Sequence, residues 1–187
     1  MANTKWALDP IHSEVIFKIK HLMISTVTGR FKKFNLVAET GTDDFNTAKK
    51  IEFTADINSI DTNNEQRDGH LKSGDFFNVE EYPELKFSGK KYDVNDGEGI
   101  ISGELTMHGI TKPVTLKVEF GGIVKDPYGQ TKAGFTVTGK INRKEFGLSW
   151  GTVTETGNVV LSDEVKINVE IQLVKQVEQL VEEEQLA

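Results

Sequence analysis

The sequence contains no cysteine, which removes disulfides, thiolate metal sites and cysteine nucleophiles together and leaves the fold to stand on packing. It has no run near the roughly 18 apolar residues of a membrane-spanning helix. Its first residues, MANTKWALDPIHS, lack the basic and apolar regions of a secretory leader, so a cytoplasmic location without stable membrane insertion is expected. Cations are in deficit: 22 Lys and Arg face 29 Asp and Glu, a net charge of -7. That balance excludes a phosphate-neutralising nucleic-acid surface and disfavours contact with anionic membranes. The four histidines, at 12, 21, 70 and 108, are too scattered for a local zinc pattern. No G-x-S-x-G elbow, P-loop or helix-entering G-x-G-x-x-G is present, and no metal or cofactor is expected.

What the chain does have is alternation. Val15, Phe17, Ile19 and His21 share one face of SEVIFKIKH, and Ile51, Phe53, Ala55 and Ile57 share one face of IEFTADIN. Val114, Leu116, Val118 and Phe120 follow the same rule, as do Val165, Ile167, Val169, Ile171 and Leu173. Less regular strands are expected near 28–38, 84–92, 99–108 and 132–142, with turn signals at Asn95-Asp96-Gly97, Gly121-Gly122 and Asp126-Pro127-Tyr128-Gly129. About eight strands, each with one apolar face, require closure into an antiparallel barrel or a two-sheet sandwich, because an open sheet would leave that face uncovered.

Thr62-Asn63-Asn64-Glu65 has the spacing of a capping box and predicts a short helix over about 62–72, after the third strand. The tail from 174 changes to helical spacing through Val174, Val177, Leu180 and Val181 before a glutamate run. The expected organisation is one barrel over 1–173 and an acidic helical tail over 174–187.

Three groups of polar residues compete for a functional role. Arg67-Asp68-x-His70 reads either as an acid/base group or as local pairing on the helix. His21 ends an otherwise apolar inward face, as a satisfied core histidine or as a contact at a barrel mouth. Arg143 lies in INRKEFGLSW, where alternation breaks; it suits surface pairing and anion contact equally. Trp150 suggests a partly buried indole with one hydrogen-bond partner.

Inward parity collects Phe17, Phe31, Phe53, Phe87, Phe120 and Phe135, with Phe34, Phe76 and Phe77 from irregular stretches. An eight-stranded barrel is just wide enough to be filled by side chains or to hold one small ligand. Gly103, Ala133 and Gly139 also fall on inward positions and leave part of the wall without bulk, which favours a cavity. Such a cavity suits a hydrocarbon chain, since a polar metabolite would lose its water without regaining hydrogen bonds.

The motifs together resemble the YceI-like family of lipocalin-like bacterial barrels. The matching residues are Trp6-x-Leu8-Asp9-x-x-His12-Ser13 with Phe17 and His21, Gly29-x-Phe31, and Ser59-Ile60-x-Thr62. They continue as Arg67-Asp68-x-His70-Leu71-x-x-x-Asp75-Phe76-Phe77 with Tyr82-Pro83, and Gly103-x-Leu105-Thr106-x-His108-Gly109-Ile110-Thr111-Lys112. Asn142-Arg143-x-x-Phe146-Gly147 and Asp163-Glu164-Val165 complete the set, which covers about residues 5–173. The resemblance implies an extended antiparallel lipocalin-like barrel whose apolar tunnel holds a polyisoprenoid or a fatty-acid-like amphiphile.

The expected tunnel lining is Phe17, Ile19, Phe31, Phe34, Phe53, Ile57, Phe87, Leu105, Leu116, Phe135 and Val169, with Phe76 and Phe77 at a helical plug. His21, Arg67 and Arg143 are the candidate head-group contacts. The expected role is non-enzymatic binding or transport of a long-chain lipid. The alternatives are a filled barrel that acts as a stress-response or interaction protein, and a small-scope isoprenoid-modifying enzyme using His21 or His70. A homodimer is a candidate assembly through strand edges or the tail.

Overall fold

The computed structural model describes residues 3–151 and 160–177. Its strands are β1 (Thr4–Leu8), β2 (Glu14–His21), β3 (Ser25–Phe31), β4 (Phe34–Thr40), β5 (Ala48–Asp56), β6 (Ile60–Asp61), β7 (Glu84–Asn95), β8 (Glu98–Met107), β9 (Ile110–Lys125), β10 (Thr131–Asn142) and β11 (Leu161–Lys175). One α-helix, α1 (Glu65–Lys72), precedes β7. Every pairing is antiparallel, in the order β1-β4-β5-β7-β8-β9-β10-β11, and β11 returns to β1 to close an eight-stranded barrel.

Several strands are long strands interrupted once. β11 pairs β1 through Leu8↔Leu173 and then β2 through Val169↔Val15, so β1 and β2 lie end to end along one neighbour. The break is chemical: the Asp9 carboxylate accepts from the Ile11 N–H and caps a 3-10 turn over Pro10–His12, whose proline has no N–H to give the ladder. β3 and β4 are split at Lys32–Lys33, and β5 and β6 by the turn Ile57–Ser59. Counted this way there are eight strands, and α1 follows the third as expected.

The fold corrects several expectations. The helix starts later than its capping box suggests, because Asn64 is the N-cap and accepts from the Arg67 N–H, while Thr62 bonds the Asp68 carboxylate. Gly121 and Gly122 do not end a strand; they lie inside β9, beside the register shift at Gly134/Phe135. β1 extends the first expected strand toward the N-terminus, beyond the Asp9 turn. Val174 and Lys175 belong to β11 rather than to a tail helix, and 178–187 lie outside the described residues.

One end of the barrel is filled. Trp6 is 2% exposed, its indole donating to the Thr40 hydroxyl at 3.0 Å. Phe45, on a 3-10 turn capped by Asp44, inserts against Trp6 (4.8 Å between centroids) and Phe135 (4.7 Å), with Tyr92 and Phe120 around them. A second core of Val15, Phe31, Ala55, Ile57 and Ile60 supports Leu71 and Phe77 beneath α1.

Candidate functional site

Between the aromatic plug and α1 lies a cavity of about 920 Å³. Side chains of β2, β5, β7, β8, β9 and β11 supply its wall, among them Phe17, Ile19, Phe53, Phe87, Leu105, Leu116 and Val169. Phe31, Phe76 and Phe77 complete it toward α1. Phe34, Ile57 and Phe135, expected in the lining, are not part of it. Phe34 packs on Phe53 at 6.2 Å, Ile57 is fully buried in the second core, and Phe135 belongs to the plug.

The small inward residues do not make the cavity. A Cβ at Gly103 would lie 2.2 Å from the Ser88 carbonyl and 2.8 Å from the Phe87 ring, and one at Gly139 would meet Leu116 Cδ2 at 2.5 Å. Neighbours already occupy that space, and Ala133 is sealed in the plug. The hollow is bounded instead by the inward side chains that flank and cover these glycines, among them Ile101, Leu105, Val137 and Ile141.

Polar lining is confined to the mouth. It comes from His21 and Ser25 at the end of the β2–β3 hairpin, from Thr62, Asn64, Gln66, Arg67 and His70 around α1, and from Arg143. No carboxylate lines the cavity among the described residues, although the chain carries 29 of them.

The two arginines differ. Arg143 is 3% exposed, with Nε donating to the Ser162 carbonyl, Nη1 to those of Leu148 and Trp150 (both 2.6 Å) and Nη2 to that of Leu161. Burial lowers its pKa, against the opposing charge of Asp163. Its donors hold the segment after β10 to the start of β11, so it is a clamp at the rim. Arg67 donates from Nε to the Thr62 hydroxyl and from Nη2 to the Thr62 carbonyl, leaving Nη1 without a partner among the described residues. The hydroxyl of Thr62 in turn donates to Asp68 at 2.6 Å, so the Arg67 head is aimed by a fixed chain of bonds.

His70 bonds the Asp75 carboxylate at 2.9 Å and meets Phe76 and Trp150 edge-on at 5.2 and 4.5 Å. His21 faces the mouth and makes no side-chain hydrogen bond among the described residues. The sequence reading missed Leu36, Ile101, Val114, Val137 and Ile167 in the wall; the parity of Val114 and Ile167 already placed those two inward.

At the plugged end, Asp9 takes a 2.8 Å bond from His12 and a 2.9 Å bond from Lys132, which also pairs with Asp126. Burial pushes the Asp9 carboxyl up, but the bonds from Lys132 and His12 outweigh it and hold the group down at about 2. This cluster ties the β1–β2 break to the β9–β10 hairpin. Among the described residues no helix is long and apolar enough to cross a membrane.

The model of the YceI-like domain matches residues 6–173. A UPF0312 protein of Staphylococcus epidermidis is 42% identical over 166 residues, covering 87% of this chain and 93% of its own. The crystal structure of a Campylobacter jejuni YCEI protein, 37% identical, superposes with a TM-score of 0.73 over 85% of this chain and 90% of its own. A polyisoprenoid binding domain from Saccharophagus degradans, implicated in plant cell wall breakdown, shares the fold at 17% identity and a TM-score of 0.69, over 91% of this chain and 98% of its own. A barrel plugged at one end, hollow at the other and matched over nearly all its length in this way belongs to the YceI-like family.

Proposed function

We propose that the protein binds and carries a polyisoprenoid or similar long-chain amphiphile without transforming it. One observation carries the reading: an apolar hollow of about 920 Å³ whose polar lining is gathered at the mouth and includes no carboxylate. Each methylene moved from water into such a wall contributes about 0.8 kcal/mol, so a long chain offsets the ordering cost of binding. The mouth offers N–H and hydroxyl donors in a chain of net charge -7, which favours a head group rich in acceptors: a phosphate, a carboxylate or a quinone carbonyl. Arg67 and His21 are its contacts in this reading, and Arg143 acts indirectly by holding the rim. The polyisoprenoid binding domain of the same fold supports the chain type.

The hollow leaves the filled-barrel alternative without support. In the enzymatic alternative His70 would use Asp75 as its orienting partner, and that reading requires a bound lipid to change mass in a His70-dependent manner.

Native mass spectrometry of the gently purified chain, followed by organic extraction, tests the proposal. A discrete adduct that extracts as an isoprenoid is expected. Phe53→Glu should abolish it, Arg67→Gln should weaken its retention about tenfold, and Lys18→Glu, on the outer face of β2, should leave it unchanged. A bare chain mass that takes up no added prenyl lipid would overturn the proposal.

A further inference from the structure

The tip of the β2–β3 hairpin is built from Leu22, Met23 and Ile24, which stand 41%, 59% and 83% exposed. Leu22 and Met23 have φ of +52° and +59°. Bulky side chains adopt this left-handed conformation at a cost, whereas Asn and Gly adopt it readily. A turn selected for stability alone would carry those residues and be polar. The observed tip is both strained and apolar, a combination that marks functional positions.

Its place explains the combination. His21 and Ser25, the cross-strand pair beneath the tip, both line the cavity, and the Leu22 N–H donates to the carbonyl of Val160, which also lines it. Trp150, 43% exposed, borders the same opening. A second exposed apolar group, Val124 and Tyr128, lies at the plugged end beside the Asp9–Lys132–Asp126 cluster and has no such access.

We infer that the β2–β3 tip, together with Trp150, docks the mouth onto a lipid bilayer of neutral head groups, so that a lipid chain passes between leaflet and cavity without crossing water. The inference rests on the lipid-carrying reading above. A bilayer is the phase in which a long-chain amphiphile resides, and an apolar rim continuous with the cavity removes the aqueous step from its transfer. Neutral head groups follow from the uncharged tip and the net charge of -7. Among the described residues this exposed apolar group is three side chains and an indole, far short of the roughly 20–30 residues a side of a specific protein interface. They suffice for a peripheral contact set shallowly into the head-group layer.

The test is flotation of the full chain, without added ligand, on phosphatidylcholine vesicles. It is compared with the triple variant Leu22→Asn, Met23→Gly, Ile24→Ser, which relieves the backbone strain and should melt at the same or a higher temperature. Met23→Gly alone serves as a milder second variant. The triple variant is expected to float at least tenfold less than the parent, a difference of about 1.4 kcal/mol. It should also move a fluorescent prenyl probe between vesicles at least tenfold more slowly. High salt should leave the parent's flotation unchanged, and brominated acyl chains should quench a fluorescence component that Trp150→Phe removes.

Equal flotation of parent and variants, or none by the parent, would overturn the docking. So would a concentration-dependent dimer, lost in the variant, in place of flotation. Uptake of the probe from detergent dispersion reports on the cavity separately: uptake without flotation refutes only the docking, and flotation without uptake supports the docking and refutes lipid carriage.

Discussion

Arg143 and Arg67 reach the same cavity, and their hydrogen bonds separate their roles. Removing Arg143 strips bonded donors from the carbonyls of Leu148, Trp150, Leu161 and Ser162 in a site where little water can replace them. Arg143→Met should therefore cost about 3 kcal/mol in denaturant unfolding, and restored ligand binding at low temperature would separate this clamp from a direct contact. Arg67→Gln should act in the opposite sense, on ligand retention and barely on stability. Asp9 gives a pH signature. Its folded pKa of about 2 lies below the ordinary 3.8, so the stabilisation is complete above about pH 4 and is lost as pH falls toward 2. With partial screening of this group, about 1–2 kcal/mol is at stake. Acid unfolding of Asp9→Asn should have a visibly shallower limb between pH 4 and 2, the parent and variant converging at the bottom of that range.

At the scale of elements, period-2 alternation made most strands and their inward faces legible, because one wall of each is apolar and the other wetted. Alternation says nothing about which inward side chains meet each other. Phe34, Ile57 and Phe135 were assigned to the lining by parity or composition, yet the packing places them in the two cores, and Phe45, on an irregular turn, was invisible to parity although it organises the plug. Arg143 shows the same limit: its residue type suited surface pairing or an anion contact, while its partners are carbonyls of the segment just after β10 and of the start of β11. The glycines of the wall were misjudged for a related reason, since a missing side chain is space only if no neighbour fills it. Gly103→Ala should cost about 1–3 kcal/mol, because its Cβ meets the Ser88 carbonyl of the paired strand at 2.2 Å. Gly69→Ala in α1, where nothing lies within 4 Å, should stabilise by about 0.4–1 kcal/mol. Thermal melts of the two single variants would have to shift in opposite directions.

For the molecule as a whole, stability and hollowness are divided between the two ends. The aromatic plug and the Asp9–Lys132–Asp126 cluster hold one end, and the mouth is left to α1, the strained tip and the Arg143 clamp. The clean match of the family from 6 to 173 was legible because motif residues such as Asp9, Arg67 and Arg143 sit at these special points rather than in the repetitive strand faces. β11 pairs with β10 along one edge and with β1 and β2 along the other, so the earliest and latest strands of the barrel meet at a single seam. During synthesis no closed chamber exists until the ribosome has delivered residues 161–175. A nascent chain stopped before them presents its chamber wall as an open apolar sheet with two unpaired edges, a substrate for chaperones rather than a vessel. If the barrel carries a lipid as proposed, loading follows translation, into a finished barrel and through the mouth beside α1.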